Sequence, residues 1–160
     1  MRHNRGLSMK TKTFLALLFA ASGLSVAGVS VAHHSFAAFD MQNTVAISGT
    51  VKEFAWVNPH SWIYVIATRA DGTTEEWALE CSSPNMMIRW GWNRSDVKVG
   101  DKITIDMHPN REGRHVGSVF AVYLANGRVL ADPMGRRVSG DDLATGPPSL
   151  PEKPTGTPFR

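Results

Sequence analysis

The sequence predicts an all-β domain with one short helix, and three observations carry that prediction. Several short stretches alternate between apolar and polar residues, which is the period of a half-buried strand. Turn signals such as Asp71-Gly72 and Asn126-Gly127 separate these stretches. A single helical signal follows the third strand. This order is that of a small OB-like Greek-key barrel of five or six strands, and a six-stranded barrel or sandwich of different connectivity is the alternative.

The predicted strands share a period of two, and they run over residues 45–52, 62–68, 74–81, 102–108, 116–125 and 128–130. Gly49 lies on the apolar face of the first strand, where a bend or close packing leaves no room for a side chain. In the third strand, Leu79 and Cys81 face the core, whereas Glu76 and Glu80 face solvent.

The helix and the tail are predicted from different signals. Ser83 offers an N-cap, Pro84 suits the first helical position, and Gly91 ends the short helix. Pro, Gly and charged residues dominate 133–160, which predicts a disordered tail. The folded β-barrel domain is therefore expected at 33–132.

An N-terminal leader precedes this domain. Residues 1–32 hold four basic residues and no acidic one, followed by an apolar run and then small residues. That order is typical of a secretory signal peptide, and the run is too short for a membrane anchor. We expect cleavage after Ala32, with Ala27 as the alternative. The mature protein is then periplasmic or secreted from a bacterium, without a stable membrane anchor.

Removing the leader changes the charge of the chain. The full sequence has 17 Lys and Arg against 14 Asp and Glu. Loss of the four leader cations leaves 13 against 14, so the mature chain is nearly neutral. A neutral exported domain does not suit nucleic acid, which we therefore do not expect as a partner.

Cys81 is the only cysteine, so an intramolecular disulfide is excluded and the core must hold the fold. Together with Met86 and Met87 it offers soft ligands for Cu(I). Because Cys81 lies on the apolar face of its strand, we interpret it instead as a small hydrophobic residue.

Two histidine motifs are the most distinctive features: His33-His34-Ser35-Phe36 and Trp56-Val57-Asn58-Pro59-His60-Ser61. Together with Gly49-Thr50-Val51, Gly91-Trp92, Gly100-Asp101 and His108-Pro109, they resemble a family of small exported bacterial proteins of unknown function. The resemblance covers about residues 33–131. It implies export, a β-rich single domain and two histidine motifs that belong together, but it implies no activity.

The first functional hypothesis is metal binding by a non-enzymatic exported module. Imidazole nitrogens bind copper, zinc and nickel, and Cu(II) binds most strongly among the divalent ions of the first row. Cleavage after Ala32 would give His33 a free α-amine beside its ring, with His34 next to it. His60 would complete the site from the stiff Asn-Pro turn. The alternative is that His33 and His34 lie in a mobile terminus and that His60 only hydrogen-bonds within its turn.

A second hypothesis is a carbohydrate- or protein-binding surface lined by tryptophans, because OB barrels bind ligands on the face of strands two and three. Its candidate residues are Trp56, Asn58, Trp62 and His108, and packing in the core is the alternative for the indoles. His108 and His115 could also join the metal site, but we expect them to be solvated loop histidines. A copper-dependent oxidative enzyme built on His33 is the third hypothesis. Catalysis has little other support, because no motif of a hydrolase or phosphate site is present.

Overall fold

The computed structural model describes residues 36–69, 71–135 and 151–159. Its elements in chain order are a 3-10 helix (Phe36–Ala38), β1 (Val45–Ala55), β2 (Trp62–Thr68), β3 (Thr74–Glu80), α1 (Pro84–Arg89), β4 (Lys102–Pro109), β5 (Val116–Leu124), β6 (Val129–Ala131) and β7 (Thr157–Pro158). The predicted strands and helix are present, with ends shifted by a few residues. No helix in the described ranges is long and apolar enough to cross a membrane.

Five strands close into a barrel. Their order is β1-β2-β3-β5-β4, and β4 returns to pair with β1. Neighbouring strands are antiparallel except β3 and β5, which are parallel. With the helix between β3 and β4, this is the arrangement of an OB-type Greek-key barrel. The predicted fold class is therefore confirmed, and β6 adds to β5 outside the closed circuit.

β1 is long because its two halves pair with different strands. The N-terminal half pairs with β4, the C-terminal half pairs with β2, and Gly49 takes part in both pairings. A Cβ at Gly49 would lie 2.6 Å from the carbonyl oxygen of Ile66. Close packing therefore requires glycine there, as the sequence predicts. The register shifts between Val51 and Glu53, and such irregularities let a strand bend around a barrel.

The barrel interior is apolar, and the helix covers one end of it. The largest fully buried side chains include Ile47, Ile63, Leu79, Met87, Ile105, Met107 and Trp92. Pro84 occupies the first turn of α1, while Ser83 stands at the N-cap without a side-chain hydrogen bond. After the helix, Trp92 donates its indole N–H to the carbonyl oxygen of Ala131 at 2.6 Å. This bond joins the helical connection to β6.

The chain after β6 contacts the barrel at several described positions. Asp132 donates its backbone N–H to Phe120 of β5, and Gly135 lies so close that a Cβ would be 2.1 Å from the oxygen of Val119. Farther along, β7 pairs in parallel with β1. Glycine contributed to the prediction of disorder, but at position 135 the lack of a side chain lets two backbone segments pack closely. Residues 136–150, and the predicted leader 1–32, lie outside the described residues.

Candidate functional site at the Asn-Pro-His turn

The turn between β1 and β2 begins from a fixed aromatic residue. Trp56 is half-buried and packs edge-on against Phe54, with ring centroids 5.3 Å apart. Asn58 and Pro59 follow at the exposed tip, joined by a cis peptide bond. Trp56 is therefore an anchor of the turn, and Asn58 is its solvent-facing tip.

The turn ends in an equally fixed position. Ser61 is fully buried, and its backbone N–H donates to the carbonyl oxygen of Ser82 at 3.1 Å. In return, the carbonyl oxygen of Ser61 accepts from the N–H of Cys81 at 2.8 Å. His60 is thus held directly before a residue that is bonded to the chain beyond β3.

The imidazole of His60 contacts the carboxylate of Glu80, through Nδ1 and Oε1. An ionised carboxylate can only accept, so Nδ1 carries the hydrogen and the lone pair of the neutral ring lies on Nε2. The side chain of His60 is 34% exposed and that of Glu80 is 9% exposed. Within the described residues His60 makes no other side-chain hydrogen bond. The ring is therefore oriented by a buried carboxylate, with one nitrogen available.

The prediction that Glu80 faces solvent is wrong. Glu80 does point to the outer face of the barrel, opposite Leu79, but it is only 7% exposed. Ser118 of β5 lies beside it in register, and the chain after β6 bonds to Ser82 two residues later. The residues that cover Glu80 are distant in sequence. No local pattern in β3 could therefore have revealed its burial.

A polar row crosses the outer face of four neighbouring strands. It consists of Trp62 on β2, Glu80 on β3, Ser118 on β5 and His108 on β4. Ser118 is fully buried, and its Oγ has no hydrogen-bond partner in the part of the chain that the structure describes. Buried polar side chains cost free energy unless they are paired. A row of them beside His60 therefore marks this face as the candidate site.

His108 is not the solvated loop histidine that the sequence suggested as its alternative. It is 6% exposed, and its Nδ1 and Nε2 lie 2.8 Å from the carbonyl oxygens of Asn43 and Gly135, respectively. His108 and Glu80 lie on strands that are two positions apart in the sheet, which separates them by about 10 Å. Both of its nitrogens are occupied, so His108 clamps two chain segments and offers no nitrogen to a ligand.

Asp132 braces the chain behind the turn. Its carboxylate accepts hydrogen bonds from Ser82 Oγ at 2.7 Å, Ser82 N at 3.0 Å and Met134 N at 2.8 Å. Burial raises the pKa of Asp132 from 3.8 to about 6, although these hydrogen bonds and the charge of His60 oppose the rise. Ser82 in turn holds Ser61. Sequence reasoning missed Asp132, because only the fold brings it next to β3.

The remaining candidates divide between the core and the undescribed N-terminus. Cys81 is fully buried, and desolvation, with smaller contributions from Asp132 and Glu80, raises the pKa of its thiol. It therefore behaves as a core residue. No three His, Cys, Asp or Glu side chains form a group that could hold a metal within residues 36–69, 71–135 and 151–159. His33 and His34 lie outside those ranges.

Most of the tryptophans lie in the core. Three of the five are buried in the core: Trp77, Trp90 and Trp92. Trp62 is half-buried on the outer face of β2 and stacks on Tyr64, with ring centroids 6.5 Å apart and planes inclined by 25°. The exposed histidine His115 instead stacks on Trp77 and lies 3.3 Å from Glu75, away from the turn.

Comparison with known proteins identifies a family without an assigned activity. The profile of the family of unknown function DUF6152 matches residues 22–119, a range that includes both histidine motifs and Glu80. No curated protein matches the chain. Among solved structures, the mitochondrial single-stranded DNA-binding protein Rim1 of S. cerevisiae is similar, at 10% identity and a TM-score of 0.38. That similarity covers 59% of this chain and 97% of the other, and at this level it carries no functional argument.

Proposed function

The chain belongs to the DUF6152 family of unknown function, and for this member we propose an exported, non-enzymatic module that binds a transition-metal ion, with copper as the first candidate. Its proposed ligands are Nε2 of His60 together with His33 and His34 from the N-terminus. The observation that carries the proposal is the contact between His60 Nδ1 and the buried carboxylate of Glu80.

This contact is the outer-shell arrangement of metal-binding histidines. Such histidines nearly always donate their second N–H to a carboxylate, a carbonyl oxygen or water, which fixes the tautomer and raises the basicity of the ligating nitrogen. His60 has that partner in Glu80, and its ring reaches the surface. Copper is preferred because imidazole sites bind Cu(II) most strongly among these divalent ions.

The other ligands must come from outside the described residues, since those residues hold no group of three. We propose that the N-terminal segment supplies them. Phe39 forms a bridge with Asn110 just beyond β4, at the end of the polar row that holds His108. Phe36–Ala38 form a 3-10 helix, which rises about 2 Å per residue, so the chain from Phe39 back to His34 spans at most about 13 Å. Two strand spacings from β4 to β3 are about 10 Å.

The N-terminal histidine would supply chemistry that an internal one lacks. If the leader is removed after Ala32, His33 brings both an α-amine and a ring nitrogen to one metal ion. His34 adds a second ring, and His60 would close the set from the barrel. Export and metal binding are therefore linked in this proposal, because cleavage creates one of the ligands.

Binding of a flat ligand such as a sugar is a second candidate function. It is supported by the stacked, half-buried rings of Trp62 and Tyr64 on the outer face of β2. OB barrels use the face of strands two and three for such ligands. A methyl glycoside that quenches Trp62 fluorescence in the wild type, but not in Trp62→Ala, would support this candidate.

Calorimetric titration of the mature protein with Cu(II) tests the metal proposal. His60→Ala should lower the affinity at least 100-fold, and Glu80→Gln should lower it about 10- to 100-fold because the ring loses its orienting carboxylate. His115→Ala is the matched control, since His115 is an exposed histidine away from the turn, and it should bind as the wild type does. Circular dichroism and thermal unfolding establish that each variant is folded. Equal Cu(II) affinity in folded His60→Ala and wild type would refute the proposal.

A further inference from the structure

The C-terminal segment Thr155–Phe159 lies in a groove along β1, which we call the edge groove. The groove is formed by the free edge of β1 at Val45–Ala46, by Asp106 of β4, and by Trp77 and Arg69 at its far end. No other strand of the barrel pairs with this edge in the described residues, because β2 pairs with β1 only from Gly49 onward. The edge groove shares no residue with the proposed metal site.

Main-chain hydrogen bonds align the segment in parallel with β1. The N–H of Thr157 donates to the carbonyl oxygen of Thr44 at 3.0 Å, and the N–H of Phe159 donates to that of Ala46 at 2.9 Å. Pro158, which has no N–H, stands between them and is exposed. The contacts are those of a peptide added as a strand to the edge of a sheet.

Asp106 gives the groove a polar anchor. Its side chain is fully buried and accepts from Thr155 N at 2.8 Å, Thr155 Oγ1 at 3.2 Å and Gly156 N at 3.2 Å. Its one other described partner is the hydroxyl of Tyr123 at 3.2 Å. Most of the hydrogen bonds to this carboxylate thus come from the segment. Because a buried carboxylate with vacant acceptor positions costs free energy, the groove favours an occupant with consecutive N–H donors.

The groove also selects two side chains. A Cβ at Gly156 would lie 2.6 Å from Ala46 N and 2.6 Å from the carbonyl carbon of Val45, so this position admits only glycine. Three residues later, Phe159 packs edge-on against Trp77 at 5.1 Å, and the guanidinium of Arg69 lies 4.9 Å from the centre of its ring. An aromatic ring between an indole and a cation is a favourable anchor.

We propose that the edge groove is a peptide-binding site for an extended Thr-Gly-Thr-Pro-Phe segment, and that the segment of a second copy of this chain can replace the chain's own. The contacts in the groove are made by the chain's own segment, and a second copy is the proposed occupant because its residues 155–159 carry the same glycine and phenylalanine. Residues 136–154 lie between Gly135 and the segment, and nineteen residues reach up to about 65 Å when extended. Exchange between copies is therefore sterically possible.

A labelled peptide of residues 151–160 tests the proposal on the full mature chain. In Gly156→Ala protein the chain's own segment is weakened while every groove residue remains, so the peptide should bind at least tenfold more tightly than to the wild type. Lys153→Ala protein is the control. Because Lys153 is exposed, the segment of this variant should stay bound in the groove, and the peptide should bind it as weakly as it binds the wild type. Phe159→Ala protein repeats the test if the first variant does not fold.

Peptides with the same changes supply the specificity readout. A peptide with alanine at position 156, or with alanine at position 159, should bind the Gly156→Ala protein at least tenfold more weakly than the native peptide. Fluorescence anisotropy measures all of these affinities. The proposal is overturned if the native peptide fails to bind a folded variant, or if the three peptides bind equally.

Discussion

Replacing Asp132 with asparagine should remove a specific dependence of stability on pH. The carboxyl of Asp132 is fully buried, and its pKa is raised from 3.8 to about 6, chiefly by desolvation. Its protonated form is therefore the one that the folded state favours. The stabilisation is complete below about pH 4 and is lost as the pH rises through about 6.

The magnitude follows from the difference between the two pKa values. That difference corresponds to about 3 kcal/mol when the titration is complete, and to about 2–3 kcal/mol between pH 4 and pH 7. The side-chain amide of the Asp132→Asn variant would have no such titration. Ser82 Oγ and Met134 N donate to Oδ1 of Asp132, so an amide oxygen in that position retains these two hydrogen bonds. The bond of 3.0 Å from Ser82 N to Oδ2 is lost, because the amide nitrogen would stand there. Apart from the lost titration, the substitution should change the free energy of unfolding by nearly the same amount at every pH.

Urea unfolding of wild type and Asp132→Asn between pH 4 and pH 7 measures this effect. The free energy of unfolding of the wild type, minus that of the variant, should fall by about 2–3 kcal/mol as the pH rises. Hydrogen bonds from Asn43 and Thr73 lower the pKa of Asp40 and of Asp71, so those groups titrate below this range and are common to both proteins. A difference that stays constant, or that grows with pH, would show that Asp132 is ionised in the folded protein and that burial does not control it.

Three further predictions concern the barrel and its export. Leu79→Ala should cost about 2–5 kcal/mol in the free energy of unfolding, because Leu79 is fully buried, whereas exposed Glu76→Ala should stay within about 0.5 kcal/mol; equal costs would contradict the orientation of β3. Gly49→Ala should cost about 1–3 kcal/mol, since its Cβ would meet Ile66 O at 2.6 Å, and an unchanged melting temperature would contradict that packing. Intact mass of the exported protein should correspond to His33–Arg160; retention of 1–32 would contradict the signal peptide.

The barrel was predictable because its signals are local. Period-two alternation located the strands, Asp71-Gly72 and Gly91 located a hairpin and a helix end, and both glycines have positive φ as those turns require. The order of the elements then limited the topology to a few choices. Burial of Leu79 and Cys81 followed from alternation alone.

The candidate site was only half predictable, because its partners are distant in sequence. His60 was identified from its turn, but Glu80 and Asp132 acquire their roles through contacts that the closed barrel creates. The same reason explains the tail. Gly156 and Phe159 follow a Pro- and Gly-rich stretch, yet Asp106 and Trp77 lie where they can bind such a segment. Composition describes a segment's own preferences and contains nothing about the surface that receives it.

Electron paramagnetic resonance of the mature protein loaded with one equivalent of Cu(II) tests the proposed metal site most directly. Nitrogen superhyperfine structure reports how many nitrogens bind the ion, and the same spectrum can be recorded for His60→Ala. The proposal predicts one fewer coordinated imidazole in His60→Ala than in wild type, and an unchanged spectrum in His115→Ala. Identical spectra for wild type and His60→Ala would place copper elsewhere and leave the contact of His60 with Glu80 as a structural brace of the turn.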